Sequence, residues 1–91
     1  MPVDVIVAVE DDRAMPTAYR GLRLFRDHGL SVDMVATGSP RKRYDKAAKV
    51  PAKVLVGMQF DGETTVISTR AAQGVEEHEL VKELILRLVG A

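Results

Sequence analysis

Ninety-one residues with no net charge make one domain around a single modest core, and they exclude a molecule that seeks polyanions with its whole surface. The absence of cysteine excludes a disulfide framework, a thiol nucleophile and a thiolate metal site. With 46% hydrophobic and 29% charged residues the composition is that of a soluble globular domain, and no apolar run is long enough to span a bilayer.

Residues 3–9, VDVIVAV, are almost continuously β-branched or small and apolar, the pattern of a central parallel strand covered on both faces. No basic leader or small-residue cleavage site precedes the acids that follow, so this stretch reads as a first strand and not as a signal peptide. The expectation is a cytoplasmic protein, or an excised piece of one. Glu10, Asp11 and Asp12 end the strand and supply an N-cap and first-turn charge for a helix that tolerates Pro16 early. Met15, Ala18, Tyr19, Leu22 and Phe25 recur at helical spacing, with Arg20, Arg23 and Arg26 on the wet side and Gly29 as the stop.

Residues 30–35 alternate as a strand nearer the edge, and residues 37–40 turn the chain into a basic helix over 41–49. Tyr44, Ala47 and Ala48 form its narrow apolar stripe. After a break at Val50 and Pro51, residues 53–58 make a second strongly apolar strand. Asp61-Gly62 is a hairpin signal, and residues 64–69 return antiparallel. A very short fifth strand fits between residues 70 and 75. The last helix, over residues 76–89, points Leu80, Val81, Leu84, Ile85 and Leu88 inward, with acids early and Arg87 late as its dipole prefers. The order β-α-β-α-β-β-(β)-α predicts a single domain over 1–91, a three-layer α/β fold on a mixed four- or five-stranded sheet.

Most chemistry is excluded. The first strand leads into acids where a dinucleotide-binding turn needs glycines, and Gly38-Ser39 lacks the Gly-Lys-Ser/Thr of a phosphate-binding loop. Glu10, Asp11 and Asp12 resemble a cation site of the receiver type, but no later strand ends in the matching nucleophile, so they read as a helix cap and solvated charge. His28 and His78 stand far apart among polar residues and read as surface histidines, not zinc ligands. No serine or threonine has a nucleophile-elbow setting. No catalytic residue, cofactor or metal is expected.

The asymmetry that remains lies in residues 39–57. Arg41, Lys42, Arg43, Lys46, Lys49 and Lys53 stand there against Asp45 alone, a local charge of +5 in a neutral chain. Lys42, Arg43, Lys46 and Lys49 are expected to share a broad helix face, with Arg41 near the helix N-terminus. Such a face either meets a nucleic-acid backbone or is simply solvated.

Three segments carry a resemblance to a known family. They are VDVIVAV; LFRDHGLSVDM, with Phe25, Arg26 and Gly29 in characteristic places; and PRKRYDKAAKVPAKVLVG, with Ala47, then Ala52 and Lys53, then Gly57. In order and spacing the chain resembles the C-terminal anticodon-binding domain of class II aminoacyl-tRNA synthetases, and is most similar to the histidyl-tRNA synthetase type. The resemblance implies a mixed sheet flanked by helices and a role in holding the tRNA anticodon stem-loop, with no aminoacylation by this chain alone. It implies RNA contacts from Arg41, Lys42, Arg43, Lys46, Lys49 or Lys53, and more weakly from Arg70 and residues 59–63. It also implies a synthetase catalytic domain or another protein as partner, to a monomer or homodimer away from membranes. The rival expectation is a protein-interaction or regulatory domain of a synthetase paralogue that binds no RNA.

Overall fold

The computed structural model describes residues 2–72 and 78–90. Strand β1 (Val3–Val9) leads through a 3-10 turn (Asp12–Ala14) into helix α1 (Met15–Asp27). Strand β2 (Val32–Val35), helix α2 (Pro40–Ala48), strands β3 (Ala52–Phe60) and β4 (Thr65–Ala71), and helix α3 (Glu79–Gly90) follow. The sheet order is β2-β1-β3-β4. β1 runs parallel to both neighbours, and β4 is antiparallel to β3. This is the three-layer α/β domain on a mixed sheet that the sequence predicts. Among the described residues the sheet has four strands; Arg70 and Ala71 complete β4, and the rest of the expected fifth strand falls largely outside the described residues.

Strand parity explains why β1 reads as an unbroken apolar run. Val5, Val7 and Val9 face α1 and α3, together with Val54, Val56 and Met58 of β3. Ile6 and Ala8 face α2 with Leu55 and pack on Ala47. Both faces are covered, so alternation vanishes. Full burial of a side chain the size of Phe25, Met58 or Leu84 contributes about 1.5–3 kcal/mol each.

The inner stripe of α1 is Ala18, Gly21, Leu22 and Phe25. Tyr19 is not part of it. Its side chain is 59% exposed, because one residue beyond Ala18 is ~100° further round the helix. Gly21 takes an inner place because α3 comes close: a Cβ there would lie 3.3 Å from Leu88 Cδ1 and 3.4 Å from Met58 Cε. Val81 and Leu84 are buried in α3, and Leu80, Ile85 and Leu88 pack at the margin, as the periodicity predicts.

The acids after β1 divide their work. Asp11 caps the 3-10 turn, accepting from the Arg13 N–H at 2.9 Å, while α1 itself, N-capped by Ala14, has no side-chain cap. At the other end of α1, His28 Nδ1 lies 3.0 Å from the Leu24 carbonyl oxygen, and Gly29 takes the left-handed conformation (φ 80°) that ends the helix.

Candidate nucleic-acid interface

Helix α2 opens at Ser39-Pro40. Proline is favoured in the first turn because its missing N–H has no intrahelical partner there. The inward residues are Arg43 and Ala47, four apart on one face, with Tyr44 half-buried beside them. Ala48, expected in the apolar stripe, is exposed.

Arg43 is the main correction to the expected basic face. It is 5% exposed and does not share the wet side with its neighbours. One terminal nitrogen, Nη1, donates to the Val9 carbonyl at 3.1 Å and to Asp12 Oδ1 at 2.6 Å. The other, Nη2, donates to the Gly38 carbonyl at 3.0 Å. Spacing alone carried the signal, since position 43 precedes the buried Ala47 by one helical turn. The guanidinium is spent on holding the end of β1 to the start of α2.

The remaining cations are exposed. Lys42, Lys46 and Lys49 stand at i, i+4 and i+7, which places them in one stripe along α2. Arg41, seven residues before Ala48, lies on the opposite flank. Lys53, at the start of β3, is half-exposed and 3.3 Å from Asp4 Oδ1. The Asp4 carboxyl is held below its ordinary pKa, first by the Ser31 backbone N–H and also by Lys53. Arg70 stands apart from the lysine stripe. It lines a shallow cleft of about 200 Å³ between the end of α2 and the sheet, walled by Ile6, Ala47, Ala48, Val50 and Leu55. The predicted cations are therefore dispersed: Lys42, Lys46 and Lys49 form a stripe on α2, Arg41 lies on its other flank, Lys53 stands beside Asp4, Arg70 lines the cleft and Arg43 is buried.

The turn at residues 59–63 is tightly made. Asp61 Oδ1 accepts from the Glu63 and Thr64 N–H groups, both at 2.9 Å, and these bonds lower its pKa. Nearby, the Arg13 guanidinium lies 4.6 Å from the Phe60 ring centre and pairs with Asp11 at 2.8 Å. Arg13 was not singled out from sequence. Its signal was local, because an Asp two residues earlier at a helix start often caps and pairs at once.

A second group missed by sequence surrounds Gly57. On the α2 side of the sheet a Cβ at this position would meet Glu10 Oε2 at 2.7 Å, Ser68 Oγ at 2.9 Å and Tyr44 Cε2 at 3.5 Å. Glycine lets the Glu10 carboxylate lie down over the strand, with Gln59 Nε2 at 3.4 Å from its other oxygen. Glu10 Oε2 and Arg43 Nε are buried with no hydrogen-bond partner among the described residues. Parity announces this placement, since Glu10 continues the Ile6 and Ala8 face one step beyond β1.

Among the described residues no group of three or more His, Asp or Glu side chains is arranged to hold a metal ion, and no helix is long and apolar enough to cross a membrane. Glu10, Asp11 and Asp12 diverge, one over Gly57, one into the cap and one onto Arg43.

Comparison with known proteins gives a partial match. Over 61 residues the chain is 43% identical to the histidine–tRNA ligase of Novosphingobium aromaticivorans. The matched stretch is 66% of this chain but only 15% of that protein's length. This is partial homology to a histidyl-tRNA synthetase, consistent with a related domain. No protein-family model matches the chain.

Proposed function

We propose that the chain is a tRNA-recognition domain of, or derived from, histidyl-tRNA synthetase, acting on the anticodon stem-loop and non-catalytic by itself. The observation that carries this reading is the 43% identity to a histidine–tRNA ligase over two-thirds of the chain. The exposed lysine stripe of α2 and the position of Arg70 across the cleft support it. Lys42, Lys46 and Lys49 suit phosphates, which position a nucleic acid without specifying bases. Arg41, Lys53 and Arg70 are exposed away from this stripe and would add further contacts at its margins. Arg43 contributes by fixing α2, not by touching RNA.

The test is titration of unmodified tRNA against the chain at several salt concentrations. Several phosphate contacts give a clearly negative slope of log affinity on log salt. No detectable binding at low salt removes the reading for this chain.

A further inference from the structure

Among the described residues, β4 has a neighbour on one side only. Two hydrogen bonds show where its backbone groups point. The Ala72 N–H donates to the Lys53 carbonyl at 2.9 Å, and the Asp61 N–H donates to the Thr64 carbonyl at 3.1 Å. Antiparallel ladders alternate along the strand, so the even-numbered residues bond β3. The N–H and C=O groups of Thr65, Ile67 and Thr69 therefore point away from the sheet.

Edge strands are ordinarily protected by charge, proline, a bulge or short length. The other edge, β2, follows that pattern with four residues and an exposed Asp33. The span 65–69 does not, being Thr-Val-Ile-Ser-Thr without charge or proline. Charge appears only at its ends, as Asp61 and Glu63 in the turn and Arg70 at the far end. Two exposed apolar side chains flank the same edge on opposite faces. Val66 is 44% exposed on the α2 side, and Val89 of α3 is 53% exposed where it meets Thr65 across a shared hollow.

We infer that β4 is a self-association edge, with a second copy of this chain as its partner. The two β4 strands pair antiparallel about a two-fold axis at Ile67, so that the sheets join edge to edge. In this register Ile67 faces Ile67 of the second copy, Thr65 faces Thr69, and Val66 faces Ser68 on the α2 side. Each acidic turn then lies beside the other copy's Arg70, whereas a parallel pairing would set like charge on like. The contact is isologous and closes at two copies, so that among the described residues the outward edges are the short, charged β2 strands. An edge of this length belongs to the small, transient class of interfaces, so association is weak.

The inference shares Arg70 with the RNA reading but does not rest on it, and it is tested without RNA. Sedimentation equilibrium from low micromolar to millimolar protein should show dimer at the upper end. Thr69→Pro removes an outward N–H while sparing the ladder to β3, and should leave monomer with an unchanged circular dichroism spectrum. Should that variant fold poorly, the doubly substituted Val66→Lys/Ser68→Lys chain changes only exposed positions. It sets lysine opposite lysine and should weaken association about tenfold or more. Val66→Lys/Ser68→Glu sets opposite charges in the same register and should restore it. A chain monomeric at every concentration overturns the inference, as does a dimer indifferent to the lysine pair.

Discussion

Arg43 Nη1 lies 2.6 Å from Asp12 Oδ1, and this pair fastens the first turn of α2 to the chain leaving β1. The two ends of the pair are unequal. The Arg43 side chain is 6% exposed and also serves the carbonyls of Val9 and Gly38, whereas the Asp12 side chain is 70% exposed. Arg43→Ala, which strips a partner from the buried Val9 carbonyl and from the part-buried Gly38 carbonyl, is expected to lower the unfolding free energy by about 3 kcal/mol. Asp12→Ala should cost about 1 kcal/mol or less, because water screens its side. Urea denaturation of both variants checks the asymmetry; equal losses would place the weight on the ion pair and not on the carbonyls.

Gly57 and Glu10 form a coupled pair of another kind. Gly57→Ala sets a methyl 2.7 Å from Glu10 Oε2 and 2.9 Å from Ser68 Oγ, so those side-chain ends must move. The expected loss is about 1 kcal/mol. It should shrink in the Glu10→Ala background, where the lying carboxylate is gone. A double-mutant cycle by thermal denaturation measures the coupling, and strict additivity would contradict the contact.

Asp11 carries a pH signature. The Arg13 guanidinium, with help from the Arg13 backbone N–H, holds its carboxyl down at about 2, against about 4 in an unfolded chain. A depressed carboxylate stabilises fully above the unfolded value and loses that contribution as pH falls through the folded value. Between about pH 4 and 2, therefore, Asp11→Asn should lose stability less steeply than the parent chain. Urea midpoints measured across that range check the sign, and parallel curves would exclude the effect.

The lysine stripe and Arg43 separate RNA contact from fold. On the proposed function, Lys42→Glu with Lys46→Glu should weaken tRNA binding and reduce the steepness of the salt dependence by about 1–2. Arg43→Lys should change stability first and leave that slope unchanged. Fluorescence anisotropy at four salt concentrations distinguishes them, and an unchanged slope in the double reversal would move the RNA surface away from α2.

The fold was legible because its signals are local: β1 and β3 carry no polar side chain through their centres, at residues 5–9 and 54–58, α3 keeps a regular inner stripe, and Asp61-Gly62 marks the hairpin. The site was legible as composition but not as direction. Counting charge placed Arg43 with the lysines, although its spacing from Ala47 already set it on the inner face. An aromatic at Tyr19 suggested burial, yet its neighbour Ala18 occupies the centre of the stripe. The Gly57 niche depends on three segments meeting, Glu10 from after β1, Tyr44 from α2 and Ser68 from β4, and no local pattern encodes such a meeting.

The position of β1 also bears on how the chain comes together. Val5 and Val7 pair with Val32 and Met34 on one side and with Val54 and Val56 on the other. β1 precedes the other described strands in sequence and is thus among the last of them to be enclosed. During synthesis it waits with one flank open until some fifty further residues have followed it, and such distant pairings slow collapse to the native state. A ribosome stalled just before β3 would hold out β1, five of whose seven residues are valine or isoleucine, with one edge unpaired and open to aggregation.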